Sequence, residues 1–328
     1  EEVLTMWTAG FPEPKTFSTR VARVLEQRRG DFDIVHDNQV LGYGMLDIAK
    51  QGFPLITTIH HPITFDRKID LAAAPHWRRR LTLRRWYGFL RMQGKVARRL
   101  KRILTVSESS RRDIVADFGV APDVLRVITL GVDDVFVPPT EPRVPGRILA
   151  MASADAPMKG ISTLLEAFAK LRTERDLELV LITKPQKGGR TEQLIEELGL
   201  RDHVQFVHGI SDEELVRIMG SAEIACVPSL YEGFSLPTAE LMACETPLVV
   251  SRAGAIPEVV GPDGECADLV PPGDVGALAS AVAALLDDPQ RRERMGRAGR
   301  RRVQELFSWR AVAEATAAAY REVIDAHR

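Results

Sequence analysis

A proline-rich stretch, Val137-Pro138-Pro139-Thr140-Glu141-Pro142-Arg143-Val144-Pro145-Gly146, interrupts a regular alternation of short apolar runs with longer helical patterns. Proline fixes φ and lacks an N–H, so this segment is predicted to sustain neither helix nor central strand and to act as a linker. The alternation itself is the signature of parallel strands joined by crossover helices. Before the linker, strands are predicted at 33–36, 55–60, 103–107 and 125–129, with helical patterns at 16–29, 75–100 and 108–118. After it, strands are predicted at 147–153, 177–183, 204–207, 224–228, 247–251 and 267–270, with helices at 162–171, 213–219, 237–243 and 275–286. A last amphipathic helix, 309–326, has no strand after it and is expected to pack back on the first domain.

With 328 residues the chain has room for two α/β domains, here placed at 1–140 and 146–308, with 309–328 as a returning helix. Two doubly wound domains imply a cleft. Lys and Arg number 44 against 45 acids, a net charge of −1, so no global field recruits nucleic acid. Cys226, Cys244 and Cys266 show no C-x-x-C spacing, which points to free thiols rather than a disulfide framework or zinc site. No basic-then-apolar leader opens the sequence, and no apolar run is long enough to span a bilayer. A cytoplasmic protein is expected.

In open parallel sheets, ligands bind beyond the carboxyl ends of the strands. His36, His60, Ser107, Ser153, Thr183 and Ser229 are each predicted to close a strand. The strongest local signal is 228–240, Pro-Ser-Leu-Tyr-Glu-Gly-Phe-Ser-Leu-Pro-Thr-Ala-Glu. Gly233 lets backbone approach a ligand, and Pro237 suits a first helical turn. The amides of Gly233, Phe234, Ser235 and Leu236 would then face a positive helix end, a phosphate site. Glu232 and Glu240 can each accept two hydrogen bonds from a vicinal diol, suiting a sugar and a ribose respectively.

This segment resembles the E-x7-E donor motif of the GT4 family of GT-B glycosyltransferases, and other stretches match in order. Ser153-Ala154-Asp155-Ala156-Pro157-Met158-Lys159-Gly160 resembles the donor-phosphate loop. Val207-His208-Gly209, followed by Ser211-Asp212-Glu213-Glu214-Leu215, resembles the nucleotide-base strand and next helix. Gly254-Ala255-Ile256-Pro257-Glu258 resembles the G-G-x-P-E loop, while Thr105–Ser109 and Leu130–Asp133 match stretches before the interdomain linker.

The resemblance implies two Rossmann-like domains facing across a cleft and a nucleotide-diphosphate sugar as donor substrate, with no cofactor and no metal. It implies catalytic roles for His60, Lys159 and Glu232. Donor-binding positions are then Lys159, Glu232, Gly233, Phe234, Ser235, Leu236, Glu240, Thr183, Lys184, His208 and Gly209. Lys159 would neutralise the departing diphosphate. Retention would follow a front-face route in which the donor phosphate helps deprotonate the acceptor, and the sequence has no D-x-D placed after a strand. Two departures stand out. The arginine usual five residues before the lysine is Ala154 here, so either one phosphate clamp is missing or another residue such as Arg190 or Arg252 replaces it. The family's opening strand and glycine-rich loop are also missing ahead of Glu1, so the first domain is expected to be incomplete: either this sequence starts inside it, or the protein is shortened and its first sheet has an exposed edge.

Between 67 and 102, thirteen Lys and Arg interleave with Trp77, Leu81, Leu83, Trp86, Tyr87, Phe89, Leu90 and Met92. The stretch suits either an arginine-rich helix whose aromatic stripe is first-domain core, or a peripheral contact with the anionic inner membrane face. The acceptor, lipid-linked or phosphorylated in the second case, is unknown from sequence. Two alternatives remain open: a degenerate, non-catalytic nucleotide-sugar-binding protein, and another GT-B enzyme such as an epimerase or phosphorylase.

Overall fold

The computed structural model describes residues 2–152 and 155–327. In chain order the elements are α1 (Glu2–Trp7), α2 (Glu13–Glu26), β1 (Val35–Asn38), α3 (Tyr43–Lys50), β2 (Leu55–Ile59), α4 (Thr64–Ala73), α5 (Trp77–Trp86), α6 (Leu90–Ala97), β3 (Ile103–Thr105), α7 (Glu108–Phe118) and β4 (Leu125–Val127). They continue with β5 (Val144–Met151), α8 (Ile161–Arg172), β6 (Glu178–Ile182), α9 (Arg190–Glu197), β7 (Val204–Val207), α10 (Asp212–Ser221), β8 (Ala222–Val227), α11 (Leu236–Ala243), β9 (Leu248–Ser251), α12 (Ile256–Val260), β10 (Asp268–Val270), α13 (Val275–Leu286), α14 (Pro289–Leu306) and α15 (Trp309–Asp325). Contacts divide the chain into two units, Glu1–Thr129 with Arg310–Arg328, and Leu130–Trp309.

The first unit holds a four-stranded parallel sheet in the order β1-β2-β3-β4. On one face Met45, Ile48, Ile59, Val96, Ile103 and Ile114 build the core from α3, α6, α7 and the strands. The other face is covered by α15, whose Ala319 is buried against Ile56 and Leu104. Ser107 caps α7 by accepting from the Ser110 amide at 3.0 Å, and Gly119 ends that helix in the left-handed conformation at φ 65°.

Four expectations are corrected here. The pattern at 75–100 is not one helix: α5 gives way to a 3-10 turn at Tyr87–Phe89 before α6. Gly88 lowers helical preference there, and the turn drops Tyr87 and Leu90 into a small cluster with Leu83 and Ala74. The aromatic stripe is not uniformly core, because Trp77 is 69%, Leu81 59% and Trp86 43% exposed. His36 does not close a strand; it lies within β1. Finally, the proline-rich stretch does enter a central strand, since β5 begins at Val144 and includes Pro145 and Gly146. A register shift against β8 between Val144 and Ile148 explains the tolerance, because a bulge asks no ladder bond of Pro145. Gly146, at φ 73°, donates instead to Glu223 Oε2 at 2.7 Å. Arg143 anchors the entry by donating to the carbonyls of Gly220, Ala222 and Glu245 at 2.7, 2.9 and 2.8 Å.

The second unit is a six-stranded parallel sheet in the order β10-β9-β8-β5-β6-β7. Alternate residues Ile148, Leu179, Leu181, Ile224, Cys226 and Val249 pack under α8, α9 and α13. Their neighbours Leu149, Val180, Ala225, Val227, Leu248 and Val250 point the other way and are also buried, which is why these strands read as continuous apolar runs. Burial pushes the Cys226 and Cys244 thiols up to about 12. From β5 the chain moves outward to β6 and β7, then returns to β8 on the other side of β5. That reversal opens a crevice at the carboxyl ends of β5 and β8.

Candidate active site

The loops leaving β5 and β8 meet at this crevice. Gly160, at φ 66°, ends the first loop so close to the second that a Cβ there would lie 2.0 Å from the Pro228 carbonyl oxygen. The Leu230 amide donates to the Met158 carbonyl at 2.7 Å. This contact brings together two of the residues named from sequence: Lys159 Nζ donates to Glu232 Oε1 at 2.8 Å, and Ser229 Oγ donates to the same oxygen at 2.8 Å. The two charged side chains are 23% and 11% exposed. A third loop backs them, because the Ala255 amide donates to the Glu232 carbonyl at 2.9 Å and a Cβ on Gly254 would lie 2.1 Å from that oxygen. Glu232 is thus held by backbone from behind and by an ammonium and a hydroxyl in front.

Gly233, Phe234 and Ser235 follow, all buried, and lead into α11, which starts at Leu236 and carries Pro237 in its first turn. Ser235 sits at φ 82°, unusual for a residue with a side chain, and its hydroxyl shares a 2.8 Å hydrogen bond with Thr238 Oγ1. Phe234 meets Phe307 edge-to-face, centroids 5.4 Å apart. Its ring faces the protein, so this loop offers a ligand its backbone rather than its side chains. Sequence reasoning missed Phe307; an aromatic residue closing an otherwise charged helix was the available signal. Glu240 lies one turn into α11, half-buried, and among the described residues no hydrogen bond or ion pair engages its carboxylate. Burial raises its pKa.

Thr183 follows β6, its amide donating to the Val207 carbonyl at 2.9 Å, with Lys184 next to it. His208 and Gly209 follow β7, with Gly209 at φ 68°. These four therefore sit at the same end of the sheet as Lys159 and Glu232, displaced toward the β7 edge. Ser153 and Ala154 lie outside the described residues. Arg190 and Arg252, the substitutes for an arginine at 154, are engaged with Glu197 at 2.9 Å and Asp263 at 2.7 Å.

Comparison with known proteins decides the family. The family described as "Glycosyl transferases group 1" matches residues 137–302, and "Glycosyltransferase Family 4" matches residues 2–136. An MMP alpha-(1->4)-mannosyltransferase of Mycolicibacterium hassiacum is 60% identical over 324 residues, 99% of this chain and 79% of that protein. The chain is a family 4 glycosyltransferase.

Among other relatives of this glycosyltransferase, a phosphatidyl-myo-inositol mannosyltransferase of Mycobacterium leprae is 30% identical over 305 residues, 90% of this chain and 74% of that one. Sucrose-phosphate synthase from Thermosynechococcus elongatus superposes with a TM-score of 0.76 at 26% identity, covering 91% of this chain and 75% of that one. An Anabaena protein solved in complex with UDP shares the fold, with a TM-score of 0.74 at 18% identity, covering 92% and 82%. The two parallel-sheet domains are those of a GT-B enzyme.

In the first unit, His60 follows β2 and its Nε2 lies 2.8 Å from Asn38 Oδ1. Burial foremost, and the neighbouring His61 next, lower its pKa. His61 turns to Asp66 at 3.0 Å. His36 is held by both ring nitrogens, Nδ1 2.6 Å from Tyr320 Oη and Nε2 2.7 Å from Thr58 Oγ1, which assigns it to linking α15 to the sheet.

Proposed function

We propose that this glycosyltransferase moves a mannosyl residue, with retention, from a nucleoside-diphosphate mannose to a hydroxyl of a saccharide acceptor. The observation that carries the reading is the Lys159–Glu232 pair at the β5/β8 crevice, beside the start of α11. An ammonium and the first-turn amides of a helix suit a pyrophosphate, and a carboxylate released from the ammonium suits sugar hydroxyls. The mannosyl assignment and the α linkage rest on the Mycolicibacterium relative.

In this reaction the C1–oxygen bond to the diphosphate breaks and its electron pair leaves with the phosphate oxygen. Lys159 neutralises that charge. The acceptor oxygen bonds C1 on the same face and gives its proton to the departing phosphate, yielding an α-mannoside and a nucleoside diphosphate. Glu232 holds donor-sugar hydroxyls, Glu240 the ribose diol, and the loops at Thr183-Lys184 and His208-Gly209 the base. His60 is the first unit's candidate for a substrate hydroxyl. Lysine charge does the work a cation would otherwise do, so chelator is expected to leave the rate unchanged.

A second reading concerns the acceptor side. Helix α5 exposes Trp77, Leu81 and Trp86 beside Arg78, Arg80 and Arg84, for which no carboxylate lies within ion-pair distance among the described residues. Such a face suits an anionic lipid surface. Among the described residues no helix is long and apolar enough to cross a membrane.

The test is a thermal-shift panel of guanosine, uridine and adenosine diphosphates and their mannose conjugates, followed by mass spectrometry with mannose oligosaccharides. One nucleotide should stabilise the protein, and its mannose conjugate should extend the acceptor by one hexose. Stabilisation without transfer or donor hydrolysis would favour the non-catalytic binding protein. Retention of the protein in the pellet, with phosphatidylglycerol vesicles floating free at low salt, would remove the lipid reading.

A further inference from the structure

Beyond the donor crevice, the first unit contains a polar cluster that no motif announced. Asn38 and Gln39 stand at the carboxyl end of β1, and Asn38 is in register with Thr58 of β2. Residues 38 and 60 therefore project on the same face of neighbouring strands. Asn38 Oδ1 meets His60 Nε2 at 2.8 Å. The side chain of Gln39 reaches the backbone on both sides of the same residue: its Oε1 accepts from the His60 amide at 2.6 Å, and its Nε2 donates to the His61 carbonyl at 2.9 Å. Ser110 of α7 closes the third side by donating to the His60 carbonyl at 2.8 Å.

The loop carrying these groups is built at a cost. Gln39 and Leu41 both have positive φ, 61° and 51°, in a region that side chains disfavour. The buried Asp37 carboxylate compensates by accepting from the amides of Val40 and Leu41 at 3.1 and 3.2 Å. Gln93 of α6 donates to the carbonyls of Gln39 and Val40 at 3.3 and 3.2 Å. A strained turn fixed on several sides, with two amide side chains converging on one histidine, is more than α3 needs in order to start.

We infer that Asn38 and Gln39 are positioning residues that fix His60 as its Nε2–H tautomer, with the Nδ1 lone pair left to accept a hydrogen bond from a sugar hydroxyl. With the Asn38 amide oriented as it is, Oδ1 toward the ring, the logic is that an amide oxygen only accepts, so the nitrogen facing it carries the proton. The neutral ring then has one acceptor, Nδ1, for which no partner is seen among the described residues. The inference deepens the reading of His60 as a substrate contact and rests on it for the hydroxyl alone. Charged and titratable neighbours do not compete. His36 is engaged by Tyr320 and Thr58, and His61 is engaged by Asp66 of α4. Asp37 points to the opposite face, and Glu108 of α7 pairs with Arg111.

Selective 15N-histidine labelling, with His60 assigned by loss of its signals in His60→Gln, reads the tautomer without any activity. The wild type should show Nε2 protonated and Nδ1 bare. Asn38→Leu should give a tautomer mixture and raise KM for the substrate whose hydroxyl Nδ1 accepts about tenfold, with a smaller change in kcat. Asn38→Asp should keep His60 protonated to higher pH, moving its midpoint and the acid limb of kcat/KM up together by about one unit. A shared shift of that kind separates positioning from simple packing, and thermal melts report whether either variant is merely unstable. A wild-type His60 protonated at Nδ1, an unchanged tautomer in Asn38→Leu, or kcat/KM within twofold of wild type would each overturn the inference. Should the tautomer be as stated while no nucleotide sugar is turned over, the proposed function fails and the assignment of the ring stands.

Discussion

Replacing Lys159 by methionine keeps the side-chain length and removes the ammonium. In the free protein this takes away one charge-assisted hydrogen bond from a carboxylate that is 11% exposed and keeps Ser229 as a partner. Loss of such a bond costs about 1.5–3 kcal/mol, and the remaining hydroxyl places this site near the lower figure. Toward a diphosphate the loss is larger, because the ammonium acts there on charge that cannot protonate away at neutral pH. Removing about 3 kcal/mol of binding raises Kd about 160-fold. A nucleoside diphosphate at 100 times the wild-type Kd stabilises the wild type by about 2.7 kcal/mol, and at the same concentration the variant by only about 0.3 kcal/mol. Differential scanning fluorimetry with and without nucleotide measures both numbers. A variant whose ligand-induced shift matched that of the wild type would refute the placement of the diphosphate beside Lys159, whatever its activity.

Other consequences follow from the same geometry. Glu240→Gln removes a half-buried carboxylate whose pKa is raised by burial. A raised carboxylate pKa means the ionised form costs the fold increasingly as pH rises past the ordinary glutamate value of 4.5. At pH 7 the variant's Tm without nucleotide should therefore rise by about 2 °C while nucleotide affinity falls, and melts with and without ligand should separate the two signs. Gly254→Ala places a methyl 2.1 Å from the Glu232 carbonyl oxygen at a φ of 53°. It should lower Tm and cut kcat/KM at least tenfold, and unchanged steady-state kinetics would contradict the backing role of that loop. His36 and His60 both have lowered pKa values, from burial first and then from neighbouring histidines. The unfolded chain then binds more protons than the folded one, so stability is complete above about 6.5 and declines as pH falls toward the folded values. Urea midpoints between pH 7.5 and 5.5 should fall more steeply in the wild type than in His36→Phe.

Much of the framework was legible because it depends on local patterns. Positions 108–118, 204–207 and 275–286 match α7, β7 and α13 end to end, since a capping serine, a glycine stop or a capping aspartate marks their limits. The helix limits at 75–100 were not, because the pull of Tyr87 toward Asp70 acts through tertiary contact, with the tyrosine hydroxyl donating at 2.7 Å. The start of β5 was hidden for the opposite reason. Two prolines near a strand argue against it locally, and only the bulge against β8 removes the objection.

By itself the sequence determined that strands and helices would alternate, that a lysine and a glutamate would lie on loops after strands with a second glutamate in the helix that follows, and which family those motifs resemble. These follow from periodicity, turn chemistry and motif order, all properties of near neighbours in the chain. Only the tertiary structure decided that Lys159 and Glu232, 73 positions apart, share one hydrogen bond, that Phe234 turns inward onto Phe307, and that Asn38 and Gln39 grip His60. Each of those outcomes depends on strand order and register, which bring distant loops to one sheet end and which no local pattern encodes.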